Sequence, residues 1–359
     1  MADLLGLFGA AVVAGGAFAA GTSGNCDWGR SKAPTQDSCT TFSLMVENDT
    51  FFNGGDRYYT QGLQLRWTSP EVFEEKDSPA WTAIKSRLVP WDFAGMGSDR
   101  RRRVHFGLGQ NIYTPANINE RRPIPQDRPY AGWSYASIGG TSQDPIGGGF
   151  ERLDVYEADV GIVGPGAAAK WSQTEYHRGL GINLPQGWGN QIDNEIGIVV
   201  FRERHWRTPE LVPGRNEDDP KLLDVAPRLG VALGNVFTYA AAGATLRLGY
   251  NLPDDFGPTG IRPGLPGGGF SAPPREGFAL YAFAGGEQRA VLRNMFLDGG
   301  VIGSDPRVEK KPLVHDLYAG FAFQYATLKV TVAEVMRSPE FDGQTKRHQF
   351  GAISLSFRY

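Results

Sequence analysis

Beyond residue 40 the chain alternates apolar and polar residues with a period of two, and the alternation resumes after each connection rich in Gly, Pro and Asp. Successive side chains of a strand point to opposite faces, so this period predicts strands with one apolar and one polar face. The C-terminal segment is the clearest case. Gly351, Ile353, Leu355, Phe357 and Tyr359 share one parity, and Ala352, Ser354, Ser356 and Arg358 share the other. The same reading places strands at 41–49, 59–68, 103–112, 131–140, 151–162, 194–204, 222–233, 242–250, 277–286, 313–325 and 327–336, which with 349–358 makes twelve.

Twelve strands of roughly ten residues, each weak in hydropathy, are what a transmembrane antiparallel β-barrel requires. Lipid tolerates no unpaired backbone, and only closure removes the sheet edges. A soluble sandwich or lipocalin-like barrel would share the parity, with the apolar face turned to a core. The second parity, however, carries Gln64, Arg66, Glu157, Asp159, Gln324 and Lys329, costly in a sealed core but natural in a wet lumen. Aromatic strand ends and a final Tyr359 resemble the assembly signal of bacterial outer-membrane barrels. The expectation is an all-β chain with one barrel domain over 41–359. An even strand number puts both barrel ends on the periplasmic side, so each odd-to-even connection faces outward. The tight turn around Ala326 then lies in the periplasm, as short turns should. Connections 69–102, 205–221 and 251–276 lie there too and are long, against the usual pattern; the first is expected to hold a short helix at 80–88.

Composition changes the picture in three ways. A mean hydropathy of -0.32 and a single long apolar stretch, 4–20, exclude a bundle of membrane-spanning helices, each of which needs ~20 apolar residues. That stretch ends in small residues and reads as a removable export signal over 1–20, although Asp3 is the only charge ahead of it. Residues 21–40 then form a periplasmic segment in which Cys26 and Cys39 fit a disulfide made in an oxidising compartment. Finally, Lys and Arg total 36 against 39 Asp and Glu, so nothing recommends nucleic acid as a partner. The run Asp99-Arg100-Arg101-Arg102-Arg103 precedes the third strand and is expected to be a solvated periplasmic turn. The Gly/Pro tract 251–276 is turn chemistry, since no Lys-Ser/Thr follows it as a phosphate loop requires.

Candidate chemistry gathers at the outward ends. Glu47, Asn48 and Asp49 stand at the exit of the first strand and Tyr59 and Thr60 at the entry of the second. The connection 163–193 holds a helix-compatible stretch, 167–180, stopped by Gly181, on which Gln173 and His177 share one face as i,i+4 neighbours. A third group comes from GQNIYTP and NERRPIPQDRPYAGW around the second outward connection. His suits a general base near neutral pH, and no G-x-S-x-G nucleophile elbow occurs, which favours water over an acyl-enzyme.

At these residues the chain resembles the outer-membrane lipid A 3'-O-deacylase family. The matches are Asn48-Asp49 in ENDTFF, Tyr59-Thr60-Gln61-Gly62, GQNIYTP with Arg121, DRPYAG at 127–132, and the GPGA…Q…H…GW..Q element ending near Asn194-Glu195. They cover about 40–200 strongly and the rest through strand pattern. The resemblance implies a calcium-dependent esterase in the outer membrane, a twelve-stranded barrel with its active site at the extracellular mouth beside a loop helix. His177, Asn48, Asp49 and Thr60 would form the catalytic set, with Asp49 and Asn48 toward the Ca²⁺ ion. The expected partner is lipid A or lipopolysaccharide of the outer leaflet, and the expected state a monomer. Some members carry a basic residue where this chain has Glu120; Arg121, Arg122 or Arg128 could bind a substrate phosphate in its place. The competing functions are a phospholipid esterase on the same barrel and a non-enzymatic porin or adhesin.

Overall fold

The structure, a computed structural model, describes residues 39–53, 55–71, 101–212, 220–263, 277–303 and 305–359. The apolar stretch 4–20, Cys26 and the helix expected at 80–88 lie outside the described residues. Cys39 is disulfide-bonded.

Twelve strands form a closed barrel among the described residues: β1 (Thr41–Asn48), β2 (Tyr58–Thr68), β3 (Arg101–Thr114), β4 (Ala131–Gly147), β5 (Phe150–Val163), β6 (Glu195–Arg207), β7 (Leu223–Gly234), β8 (Phe237–Tyr250), β9 (Phe278–Asn294), β10 (Leu313–Tyr325), β11 (Leu328–Arg337) and β12 (His348–Arg358). Every strand pairs antiparallel with its neighbours in the sequence. The seam closes between β1 and β12, with Thr41 opposite Arg358 and Asn48 opposite Gly351. All twelve expected strands are present. Two run well past their expected ends, β4 to Gly147 and β9 to Asn294. There the lumen parity continues through polar residues such as Thr141, Gln143, Glu287 and Arg289, and polarity on that face does not mark a turn. Strand β8 starts at Phe237, earlier than expected, because alanines 240–242 hide the alternation.

The two faces sort as the parity requires. Leu108, Val160, Ile196, Leu248 and Phe321 are exposed around the outside, where hydrocarbon rather than water covers them. Gln64, Arg66, Glu157, Asp159, Gln324 and Lys329 all point inward and are buried. Among the described residues the lumen is packed with side chains. Glu157 accepts from Arg66 and lies against His105, each at 2.7 Å. Arg289 and Arg337 both hold Asp316, at 2.9 and 2.8 Å, and Arg228 holds Glu287 at 2.9 Å. Away from bulk water each buried charge needs a partner of opposite sign, and the interior is accordingly built of ion pairs.

The expected periplasmic turn of 251–276 is in part an interior element. From the foot of β8 the chain turns up inside the barrel, and residues 251–262 are almost all buried. Asp255 is held by Arg247 and Lys329, Phe256 packs on Leu153 and Val155, and Arg262 donates to Glu203 at 2.6 Å and Glu157 at 2.7 Å. The arginine run is also corrected: Arg101–Arg103 open β3, and Arg102 and Arg103 are buried. Arg103 reaches Glu71 at 3.1 Å, so this part of the run is paired at the barrel foot instead of solvated.

Candidate active site at the outer mouth

The exit of β1 turns the chain sharply. Asn48 Oδ1 accepts the Thr50 backbone N–H at 2.8 Å and also the Thr50 hydroxyl, a local turn that suits Asn. Asp49 donates its own N–H to the Thr60 carbonyl at 3.3 Å and accepts the Arg57 N–H on Oδ2 at 2.5 Å. By strand parity Asn48 and Asp49 should face opposite ways, yet Glu47, Asn48 and Asp49 are all buried. The β2–β3 ladder slips between Tyr59 and Gln61, leaving Thr60 outside the regular pairing. A bulge of this kind re-aims a side chain, and the Thr60 hydroxyl meets that of Thr114 at 2.7 Å.

The second part of the site comes from the loop helix Ala169–Leu180 between β5 and β6. Its end is a paired cap, in which the Gly181 N–H reaches the Arg178 carbonyl and the Ile182 N–H reaches the His177 carbonyl at 3.0 Å. Gly181 takes φ 67°, a backbone region open to glycine at little cost. The reversal brings the Asn183 carbonyl back onto His177 Nδ1. Gln173 and His177, one turn apart, are both buried and both aim at Asp56. Gln173 Nε2 donates to the two Asp56 oxygens at 3.0 and 3.2 Å, and His177 Nε2 lies 2.8 Å from Oδ2. Trp188 fixes the amide by donating to Gln173 Oε1 at 2.8 Å. Burial alone would push the His177 pKa down, but the Asp56 carboxylate and the Asn183 carbonyl carry it above the ordinary imidazole value. Burial, and secondarily the Asp56 charge, pushes the Asp49 pKa well up, against the opposing Arg57 N–H.

The sequence profile of the family described as outer membrane protein LpxR matches residues 7–359. The chain belongs to the LpxR family. Among solved structures, LpxR from Salmonella typhimurium is 20% identical and superposes with a TM-score of 0.63, covering 88% of this chain and 99% of that one. The β domain of the Bordetella autotransporter BrkA, 9% identical over 89% of this chain and 97% of that one, superposes only loosely, with a TM-score of 0.39. No curated protein matches the chain. Membership places this LpxR-family barrel in the bacterial outer membrane.

Within the LpxR-family frame, Asn48, Asp49, Thr60 and His177 all lie at the mouth, but no hydrogen bond among the described residues joins His177 directly to the other three. Asp56, which no motif singles out, connects them: it holds His177 and lies one residue before Arg57, the donor to Asp49. Its one signal in the sequence is an acid just after a Gly-Gly turn leading into β2. For a hard cation the donor set is thin. Among the described residues no group of three His, Cys, Asp or Glu side chains could hold a metal ion. Asn48 Oδ1 is taken by Thr50, whereas Asp49 Oδ1 is buried without a hydrogen-bond partner. Asp49 therefore fits as an anionic ligand, with backbone carbonyls and water left to complete a calcium shell.

The expected phosphate-binding arginines separate. Arg121 and Arg122 are exposed on the outward β3–β4 connection. Arg128 is buried, 3.3 Å from Glu340 and stacked 4.7 Å over the Tyr113 ring, so it braces the wall. Glu120 accepts the Arg122 N–H at 2.9 Å, a local turn contact. This connection is bound to the helix loop: the Arg121 carbonyl accepts from Asn190 at 2.7 Å, the Ile118 carbonyl accepts the Gln186 N–H at 2.8 Å, and Tyr130 packs on Trp188.

Proposed function

We propose that the chain is an outer-membrane esterase that removes the 3'-O-linked acyl chain of lipid A, with His177 as general base for water and Asp49 holding Ca²⁺. The observation that carries this reading is the His177–Asp56 pair, fixed by Gln173 at the mouth of an outer-membrane barrel of the LpxR family. Nδ1 is committed to the Asn183 carbonyl, which leaves Nε2 as the nitrogen that works. With Nε2 directly on Asp56 the ring is held as imidazolium, the state reached after it has taken a proton. For the forward step a water enters between ring and carboxylate, His177 removes its proton, and the oxygen attacks the ester carbonyl. The ester C–O bond then breaks, the sugar oxygen takes the proton back from His177, and a fatty acid is released. Ca²⁺ at Asp49 would supply positive charge for the developing oxyanion. Thr60, whose hydroxyl meets Thr114 at the bulge, and Asn48 would orient the groups around that carbonyl.

The filled lumen disfavours the porin reading, since ion pairs and residues 251–263 occupy the space a pore would need. Arg121 and Arg122 remain the arginines free to meet a substrate phosphate. The test is mass spectrometry of lipid A from cells expressing the chain. Loss of one acyl chain is expected, and His177→Ala should abolish it while the barrel still folds. Persistence of the shortened lipid A in that variant, or cleavage of phospholipid in preference to lipid A, would sink the proposal.

A further inference from the structure

The interior segment reaches the level of the site. Asn251 is anchored at the barrel foot, donating to the Phe278 carbonyl at 3.1 Å, and Asp255 sits in the charge cluster above it. At the top, the Ile261 N–H donates to Glu47 Oε1 at 2.9 Å, and the Arg262 carbonyl lies 3.5 Å from Asn111 Nδ2. Glu47, Gly62 and Asn111 stand side by side on β1, β2 and β3. This is the rung immediately below Asn48, and the Asp49–Thr60 contact follows it. Gly62 has no side chain where Tyr59 and Ile261 meet: a Cβ there would lie 2.1 Å from the Tyr59 hydroxyl and 3.1 Å from Ile261 Cδ1. The tip is clamped on its other side, as Arg262 bridges Glu157 and Glu203 and the Pro263 carbonyl accepts from Arg289 at 2.9 Å.

We propose that residues 251–263 are an interior brace, and that the Ile261 N–H, through Glu47, positions the β1 exit carrying Asn48 and Asp49. Glu47 is here a positioning residue; its link to catalysis rests on the function proposed above, while the brace itself does not. Without the brace the last rung of β1 loses its contact from inside the barrel, and the long Asp49–Thr60 bond, at 3.3 Å, is the main-chain contact that reports the loosening.

The test uses the full chain in detergent, with amide hydrogen exchange over 44–50 and steady-state kinetics on lipid A. Ile261→Pro removes the donor and Glu47→Ala the acceptor, whereas Glu47→Gln keeps an accepting oxygen. The first two should raise exchange at Asp49 about tenfold and lower kcat about tenfold with KM nearly unchanged, the effect of removing one hydrogen bond, and Glu47→Gln should restore both. Unchanged exchange in Ile261→Pro and Glu47→Ala would overturn the brace, as would Glu47→Gln behaving like Glu47→Ala. If Ile261→Pro does not fold, the Glu47→Ala and Glu47→Gln pair still decides. A wild-type protein inactive on lipid A would overturn the functional reading alone, because the exchange arm needs no substrate.

Discussion

His177 Nε2 lies 2.8 Å from Asp56 Oδ2, although the two residues come from different outward connections, one from the helix between β5 and β6 and one from the turn between β1 and β2. The pairing sets the protonation of His177, the proposed base. Because the folded pKa stands above the ordinary imidazole value, a base that must be neutral becomes active only at a higher pH. The rate should therefore rise with pH through an inflection above about 6.5, the usual His value. Asp56→Asn removes one of the two partners that offset burial, the Asn183 carbonyl being the other, so the inflection should move down. A pH–rate profile unchanged by Asp56→Asn would exclude His177 as the titrating base. The stability linkage runs the opposite way: the pair's contribution is fully present below the unfolded imidazole pKa and is lost as pH rises through the folded one.

Asp49 carries the calcium prediction. Its buried Oδ1 has no hydrogen-bond partner, and Asp49→Asn removes the anionic ligand with little change of shape. Chelation of the wild-type protein should abolish deacylation, and added Ca²⁺ should restore it. Asp49→Asn should need far more Ca²⁺ or stay inactive. Equal activity with and without chelator would rule out the ion.

Gln173 acts through Asp56. Gln173→Ala cuts both bonds to that carboxylate and frees Trp188 of its acceptor. The expected result is a fall of about tenfold in kcat, the scale of one or two hydrogen bonds, with folding intact. Gln173→Glu adds a like charge beside Asp56 and should do more damage. Steady-state kinetics of both variants, beside the heat-modifiable mobility of the folded barrel, provide the check.

The lumen offers a stability test away from the mouth. Glu157 is shared by Arg66, His105 and Arg262. Glu157→Ala leaves two buried guanidinium groups short of a partner and should cost about 3–5 kcal/mol, the range for breaking a buried pair. Unfolding in urea measures it. A change below about 1 kcal/mol, the range of exposed ion pairs, would mean that water has entered the interior.

The period-two pattern is enough to find all twelve strands because each buried residue alternates with one facing lipid, and both faces obey the same rule. Parity fails where the chain departs from a flat strand. Asn48 and Asp49 come to one site through the turn after β1 and the bulge at Thr60, neither of which alternation can express. Gln173 and His177 are legible as one helical face, but their common partner Asp56 lies in a turn, more than a hundred residues away in sequence. The interior segment is hidden for another reason: Gly and Pro at 251–263 mark irregular backbone whether it lies in water or inside a barrel, and only the ionic partners of Asp255 and Arg262 distinguish the two. Arg128 misleads for a similar reason, since a guanidinium suits a buried carboxylate and an aromatic face as well as a phosphate.

Among the described residues, the interior segment runs from the barrel foot at Asn251 up to the rung of Glu47. A fatty acid released at the mouth by the proposed reaction would meet this packed segment below it and lipid beside it, and the shortened lipid would stay in the leaflet from which it came. Both products of the proposed reaction therefore partition into the outer leaflet, and the periplasm receives neither.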